Sequence, residues 1–141
     1  MIIRKADSRD LSYFKDFDPI FASDPRRREL VAESVAEGRA LVVVDAGEAL
    51  GYGTVTHHFF GYSFIELVYV REPDRGRSIG AELIRGLEGL SRTKKIFTST
   101  NQSNAHMHHV LAREGYRQVG IIHELDEADP ELIYVKELTD V

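Results

Sequence analysis

The sequence contains no cysteine among its 141 residues. This absence excludes disulfide bonds, thiolate metal sites and a cysteine nucleophile, and it is typical of intracellular proteins, so we expect a cytoplasmic location. No apolar run approaches the roughly 20 residues that a membrane-spanning helix needs. Only two apolar residues follow Met1 before charged residues begin, so we expect neither a signal peptide nor membrane association.

The chain also lacks an excess of positive charge, because its formal net charge is −5 at pH 7. Domains that bind nucleic acid usually present a basic face, so no nucleic-acid partner is expected. Hydrophobic residues make up 43% of the chain and charged residues 29%, which is an ordinary globular balance. The length and the absence of a linker or repeat predict a single domain over residues 1–141.

The spacing of apolar residues predicts an α/β protein with the order β-α-α-β-β-β-α-β-α-β-β. The predicted strands cover 2–6, a hairpin over 40–60, 63–70, 94–100, 116–125 and 131–138, and the predicted helices cover 8–17, 23–38, 79–90 and 104–114. Ser8 and Asp24 are the expected N-caps of the first two helices. Two helices of the second half connect strands as crossovers, so parallel pairing is expected there.

The stretch VREPDRGRSIGAELIRGL, residues 70–87, runs from a strand through an arginine- and glycine-containing loop into an amphipathic helix. The first turn of a helix has about four N–H groups without partners and a partial positive charge, and a phosphate satisfies both. Gly76 and Gly80 would allow close approach, and Arg75 and Arg77 add charge. This pattern favours a pyrophosphate site, although a solvated basic loop explains the composition equally well.

Two other phosphate motifs fit this stretch poorly. A P-loop requires Gly-Lys-Ser/Thr, which is absent. The dinucleotide fingerprint requires three spaced glycines in the first parallel unit, and GRSIGAEL has a different spacing.

The segment VREPDRGRSIGAEL resembles the acetyl-CoA-binding motif of the GCN5-related N-acetyltransferases (the GNAT superfamily), Arg/Gln-x-x-Gly-x-Gly/Ala. Arg75 holds the first position and Gly80 the last, while Ser78 replaces the middle glycine. The strand IELVYV is similar to the family's bulged fourth strand, and TSTNQSNAHMHHVLAREGY to its second motif, in which an Asn opens a helix ending in Gly-Phe or Gly-Tyr. The resemblance implies the GNAT fold, a mixed central sheet of about six to seven strands flanked by about four helices.

The same resemblance implies acetyl-CoA as cosubstrate and assigns residues to it. The pyrophosphate would bind the loop residues Arg75, Gly76, Arg77, Ser78, Ile79, Gly80 and Ala81. Ser78 is expected to have a negative φ and to offer its hydroxyl to a phosphate oxygen. The pantetheine arm would lie between strands 63–70 and 94–100, which splay apart, near the backbone of Val68 and Val70. The Val70 N–H would then polarise the thioester carbonyl. Asn104 matches the Asn that contacts CoA, and it suits a helix N-cap equally well.

Transfer to a primary amine requires a base, because such an amine is almost entirely protonated at pH 7. The family often has a glutamate in its fourth strand, and Glu66 holds such a place here. A strand period of 2 predicts that residues 66, 68 and 70 share one face, which would place Glu66 beside Val70. A solvent-facing glutamate, or one paired with a basic neighbour, is the alternative.

The leaving thiolate commonly receives a proton from a family Tyr four residues before the helix-ending Gly, and that position is Leu111 here. His108, one turn earlier, is the candidate substitute, with Tyr134 and Tyr116 as further candidates. Unassisted departure is also chemically reasonable. The run HMHH, residues 106–109, has no evident third metal ligand, so solvent-facing histidines and no metal are expected.

The resemblance places the amine acceptor between residues 8–38 and 123–134. The acidic HELDEADPE (123–131) could attract a cationic amine, and it could equally be a solvated turn. The aromatic residues Tyr13, Phe14, Phe17 and Phe21 could line a pocket or pack in the core. A two-fold homodimer is the ordinary expectation for a small cytosolic enzyme.

Two other functions stay open on the sequence. Because Ser78 and Leu111 replace the usual residues, the chain could be an acyl-CoA-binding sensor or partner module with little turnover. A nucleotide-binding domain without acyl chemistry would instead bind ATP or NAD more tightly than CoA.

Overall fold

The computed structural model describes residues 1–139, and these form one seven-stranded sheet with α-helices on both faces. The strands are β1 (Ile2–Lys5), β2 (Ala40–Asp45), β3 (Glu48–Phe59), β4 (Tyr62–Val70), β5 (Lys95–Asn101), β6 (Arg117–Ile122) and β7 (Glu131–Glu137), and the helices are α1 (Leu11–Phe17), α2 (Pro19–Ser23), α3 (Pro25–Ala36), α4 (Ile79–Glu88) and α5 (Ala105–Arg113). Over this part of the chain, no helix is long and apolar enough to cross a membrane.

The strands lie in the order β1-β2-β3-β4-β5-β7-β6. Neighbouring strands are antiparallel except β4 and β5, whose parallel pairing follows from the crossover helix α4 between them. This parallel pairing covers only Ser63–Ile65 against Ile96–Thr98. The rest of β5 pairs with β7 alone. We call the gap beyond Ile65 and Thr98 the β4–β5 cleft, and it confirms the predicted separation of these strands.

Two apolar clusters hold the helices on opposite faces of the sheet. On one face, Leu83, Ile84 and Leu87 of α4 and Leu111 of α5 pack against the strands. On the other face, α1, α2 and α3 pack against β2 and β3, with Phe14 stacked on Tyr52. Each face of the central strands is therefore buried, which explains their largely continuous apolar sequence.

The helix starts show one confirmed cap, one wrong cap and one missed helix. Asp24 caps α3 as predicted, with its carboxylate accepting the N–H two residues on. The prediction for Ser8 is wrong, because Asp7 caps the 3-10 turn that begins there. Asp18 and Pro19 open the short helix α2, which the periodicity did not predict. The repeated Asp-Pro pair was the available signal, since it begins both α2 and α3.

Candidate functional site

The Arg75–Ala81 loop connects β4 to α4 and turns sharply just before the helix. Gly76 has φ 87° and Ser78 has φ 65° with ψ 16°. The expected negative φ of Ser78 is therefore wrong, because the chain needs a second left-handed residue to enter α4. A non-glycine residue in this conformation costs roughly 1–2 kcal/mol. The position where the motif has its middle glycine therefore requires a left-handed backbone in this chain.

The loop presents backbone donors that nothing in the protein uses. Within residues 1–139, the structure shows no acceptor for the N–H groups of residues 76–81. The first hydrogen bond that enters the helix runs from the Glu82 N–H to the Ser78 carbonyl, at 3.1 Å. Residues 75–78 are exposed, and the positive end of α4 lies behind them. This geometry can bind an anion such as a phosphate.

Two loop arginines are held in place beside these donors. Arg75 donates from Nε to the Val70 carbonyl at 3.0 Å, with its guanidinium 5.3 Å from the Tyr69 ring centroid. Arg77 donates to the nearly buried Asp74 at 2.8 Å. Both guanidiniums are therefore anchored beside the loop, and the salt bridge to Asp74 neutralises part of the Arg77 charge.

The β4–β5 cleft adjoins this loop and exposes the edge of β4. The Arg71 N–H bonds to the Leu50 carbonyl of β3, so the antiparallel alternation directs the Tyr69 backbone to β3 and that of Val68 and Val70 away from it. These groups of Val68 and Val70 face β5, which no longer pairs there. A Cβ at Gly80 would lie 3.9 Å from Val70, so the loop and the cleft are continuous.

A β-bulge interrupts β4 at Glu66. In the register with β3, Leu67 lies opposite Thr54 while Ile65 lies opposite Val55, so Glu66 is an extra residue between two pairs. The bulge begins at the position where β4 stops pairing with β5. Glu66 therefore marks the opening of the cleft.

The bulge also reverses the side-chain alternation of β4. Val68 and Val70 pack with the cluster of α4 and α5, whereas Glu66 approaches Thr54 and Arg39 on the α1–α3 side. The prediction that Glu66 shares a face with Val70 is therefore wrong. A period of 2 holds only within an unbulged strand, and the register that creates the bulge involves β3 as well.

Glu66 lies in a concave cavity of about 410 Å³, which we call the α3 pocket. Its lining residues are Arg26, Glu29, Leu30, Glu33, Ser34, Glu37, Arg39, Thr56, His58 and Glu66. The Glu66 side chain is 23% exposed, and Arg39 Nη1 lies 3.6 Å from its carboxylate. Burial raises the pKa of Glu66, and the Arg39 charge offsets that rise only in part. No local sequence pattern links Arg39 to Glu66, so this contact could not be predicted from the sequence.

A second group of polar residues lies on the opposite face, between α5 and β7. His108 Nε2 is 3.0 Å from the Gln102 carbonyl, which can only accept, so Nε2 carries a proton. His108 Nδ1 then accepts from the Tyr134 hydroxyl at 2.6 Å. Burial raises the pKa of Tyr134, which keeps this phenol protonated. Leu111 is buried in the core and has no proton to give.

Tyr134 lies at the level where the cleft opens. It pairs across the sheet with Thr98, the β5 residue that lies opposite Ile65. Tyr116, another candidate acid, instead donates to Glu88 at 2.7 Å. The structure thus brings His108 together with Tyr134, whereas the Tyr116 hydroxyl is committed to Glu88.

The remaining candidates on α5 have simpler surroundings. The Asn104 side chain accepts the Met107 N–H at 3.2 Å, so it caps α5. His106 and His109 are exposed. Among the residues that the structure describes, no three His, Asp or Glu side chains form a group that could hold a metal ion.

The residues expected on the acceptor side divide between core and surface. Phe14 and Phe21 are buried, Phe17 is half-buried and Tyr13 is exposed. Residues 123–130 form an open concavity of about 400 Å³, and Asp129 ties this segment to the turn between β5 and α5 by accepting from Ser103. Its lining residues are His123, Glu124, Asp126, Glu127, Ala128, Asp129 and Pro130.

Comparisons with known proteins agree with this arrangement. The family model of the acetyltransferase (GNAT) family matches residues 6–116. The crystal structure of a GNAT-family acetyltransferase from Bacillus cereus ATCC 10987 is 32% identical, with a TM-score of 0.90 over 98% of this chain and 97% of that chain. A search of curated proteins found no significant match.

More distant structures share the fold. A ribosomal-protein-alanine N-acetyltransferase from Brucella melitensis is 20% identical, with a TM-score of 0.79 over 98% of this chain and 100% of that chain. An aminoglycoside 6'-N-acetyltransferase complexed with coenzyme A is 18% identical, with a TM-score of 0.80 over 100% of this chain and 99% of that chain. Together with the family match and the loop–cleft geometry, the 32% identical structure shows that this chain is a member of the acetyltransferase (GNAT) family.

Proposed function

We propose that this protein is an N-acetyltransferase that moves an acetyl or short acyl group from CoA to a primary amine, by direct attack in a ternary complex. The observation that carries the proposal is the row of unpaired N–H groups at residues 76–81 beside the open edge of β4. The CoA complex of the similar aminoglycoside acetyltransferase supports it. Transfer without a covalent intermediate suits a chain that has no cysteine.

CoA would bind along the loop and the cleft. Its diphosphate would accept from the loop N–H groups, with Arg75 and Arg77 beside it. Its pantetheine arm would bond to the Val68 and Val70 backbone as an added strand. Arg75 already bonds to the Val70 carbonyl, which leaves the Val70 N–H for the thioester oxygen. Asn104, at the start of α5, would contact CoA while it caps the helix.

The reaction would begin with proton transfer from the ammonium group of the acceptor to Glu66. The neutral nitrogen would then attack the thioester carbon and form the C–N bond, while the Val70 N–H stabilises the oxyanion. The nitrogen, positively charged after attack, would release its second proton to water, and Glu66 would return the first proton to water. The C–S bond would break as the oxyanion collapses, and CoA would leave as a thiolate. Its proton would come from Tyr134. The Tyr134 hydroxyl, which His108 Nδ1 accepts in the free protein, would turn to the thiolate, and the phenolate would recover a proton from water.

Ser78 offers a direct test of the phosphate site. We expect Ser78→Asp to weaken acetyl-CoA binding by about 100-fold, because a carboxylate near the diphosphate repels it by several kcal/mol at a surface site. Both Asp and Asn tolerate the left-handed backbone, and both favour a helix N-cap. Isothermal titration calorimetry with acetyl-CoA measures the effect.

Ser78→Asn is the matched neutral control and should stay within about threefold of the wild type. Equal binding by the two variants would contradict the phosphate site. Amide shifts of residues 76–81 during an NMR titration with CoA provide a second readout, and unmoved resonances would contradict it as well.

Tyr134→Phe tests the proton donor. We expect kcat to fall about 10-fold with the Kd for CoA unchanged, since a thiolate leaves tolerably without help. The high-pH limb of the kcat profile should disappear, because deprotonation of Tyr134 is expected to cause the fall in kcat at high pH. Stopped-flow detection of CoA release over pH measures both. If Tyr134→Phe instead keeps the kcat and the pH profile of the wild type, water supplies the proton.

The sensor function is the second candidate, because Ser78 and Leu111 differ from the usual family residues. Both functions predict CoA binding. Only the enzyme predicts amine-dependent release of CoA that requires Glu66.

A further inference from the structure

Five aromatic side chains form a surface cluster at the end of the β3–β4 hairpin. The members of this aromatic patch are Phe59, Phe60, Tyr62, Phe64 and Phe97. Phe59 contacts three of them, with ring centroids 5.1 Å from Phe60, 4.6 Å from Phe64 and 5.2 Å from Phe97. Phe60 is 87% exposed and Tyr62 is 40% exposed. The patch belongs to neither apolar cluster of the core.

The patch lies on the same face of the sheet as Glu66. Ile65 packs toward α4 and α5, so its neighbour Phe64 points to the opposite face, where the bulge also directs Glu66. Phe64 pairs with Thr56 of β3, and Thr56 lines the α3 pocket. The aromatic patch and the α3 pocket are therefore one continuous surface, apolar at one end and charged at the other.

The charged end suits an ammonium group. Four carboxylates line the α3 pocket, on Glu29, Glu33, Glu37 and Glu66, against two guanidiniums, on Arg26 and Arg39, so its formal charge is −2 with His58 neutral. Arg39 pairs with Glu37 at 2.6 Å and lies 3.6 Å from Glu66, while within residues 1–139 neither Glu29 nor Glu33 makes a salt bridge. The net negative charge of the lining would attract an ammonium group into this pocket.

The distance between the two ends sets the length of the ligand. Phe64 and Glu66 lie two positions apart in β4, which is about 7 Å along the strand. An amine joined to an aromatic ring by two or three carbon atoms spans this distance. A polyamine or an aminosugar would place polar groups against the aromatic rings, where they would lose hydrogen bonds to water.

We propose that the acceptor is an amine with an aromatic or bulky apolar body, which lies on the aromatic patch while its nitrogen reaches Glu66. This inference rests on the proposed acetyltransferase function and adds the substrate class. The chemistry fits two sources, a free arylalkylamine and a peptide whose first residue is aromatic. Aromatic contacts give the patch its selectivity, and the pocket carboxylates position the amine.

The test compares amines that differ in the group attached to the amino nitrogen. The panel is propylamine, phenethylamine, a tetrapeptide with N-terminal Phe, spermidine and kanamycin, each with acetyl-CoA. We expect kcat/KM for phenethylamine or the peptide to exceed that for propylamine by about 10- to 100-fold, as burial of a phenyl ring implies. Whichever of phenethylamine and the peptide has the higher kcat/KM identifies the source as a free amine or a peptide.

Phe64→Ala should remove most of that advantage and leave the value for propylamine within about threefold. Ile2→Ala, an exposed apolar residue of the edge strand β1, is the matched control and should change neither. If circular dichroism shows that Phe64→Ala is unfolded, Tyr62→Ala replaces it, since that side chain is exposed. The advantage of the aromatic amine should then fall about threefold or more.

Preference for spermidine or kanamycin, or an aromatic advantage unchanged in Phe64→Ala and Tyr62→Ala, would overturn this inference and leave the acetyltransferase intact. A dimer that dissociates in Phe60→Ser, measured by sedimentation, would also overturn it, because a second copy would then cover the patch. Failure of the proposed function looks different, since CoA would not bind at the loop or no amine would be acetylated.

Discussion

Glu66→Gln is expected to lower kcat for amine acetylation by about 100-fold or more while the Kd for acetyl-CoA stays unchanged. The substitution keeps the shape of the side chain and removes its ability to take a proton. Glu66 lies in the α3 pocket, away from the unpaired loop N–H groups, so cosubstrate binding should not depend on its charge. Detection of released CoA with a thiol reagent gives kcat, and calorimetry gives the Kd.

The pH dependence should identify the same group. In its proposed role as the base, Glu66 would act only when it is deprotonated, and burial raises its pKa above the ordinary value for glutamate. Activity should therefore be lost as the pH falls through that raised pKa. Arg39→Leu should move this acid limb to higher pH, because the Arg39 charge lowers the pKa of Glu66.

Glu137→Gln, an exposed carboxylate at the end of β7, is the control and should behave as the wild type. An acid limb that persists in Glu66→Gln would assign the base to another residue. If the wild type binds acetyl-CoA but adding an amine does not release CoA, the sensor function would instead be favoured.

The largest loss of stability is expected for Asp18→Ala. The Asp18 carboxylate is fully buried, accepts the N–H groups of Ile20 and Phe21, and binds Arg27 at 3.0 Å. It also accepts the hydroxyl of Tyr52 in β3. Removal of the carboxylate leaves the buried phenol, the guanidinium and two amides without their acceptor. We expect the free energy of unfolding to fall by about 3–5 kcal/mol, measured by urea denaturation.

Asp24→Ala is the matched control. Asp24 also precedes a proline and caps a helix, α3, but it makes no buried ion pair. Its cost should be about 1 kcal/mol, which is typical of a lost N-cap. Equal losses in the two variants would show that Asp18 acts as a cap alone. Tyr52→Phe in combination with Asp18→Ala measures the coupling between α2 and the sheet directly.

The sequence was most informative where short-range patterns decide the structure. The order of strands and long helices follows from apolar spacing, and the Asp24 cap from a pair of adjacent residues. The motif from Arg75 to Gly80 identified the loop that presents unpaired N–H groups. It did not reveal the left-handed Ser78, because φ depends on how the loop joins the end of β4 to the start of α4.

The side on which Glu66 lies could not be predicted from its own strand. Its orientation depends on a register shift between β3 and β4, and that register is set by the packing of both strands. The same limit applies to Tyr134 and His108, which come from β7 and α5 and meet only in the folded chain. The proposed roles of these residues remain predictions for the experiments above.

The sequence by itself determined the family, the alternation of strands and helices, and the loop that can bind an anion, because each depends on residues that are neighbours in the chain. Only the tertiary structure decided the face of Glu66, its contact with Arg39, the Tyr134–His108 pair and the aromatic patch. Each of these joins residues from different strands and helices, and their distances are set when the two faces of the sheet are packed.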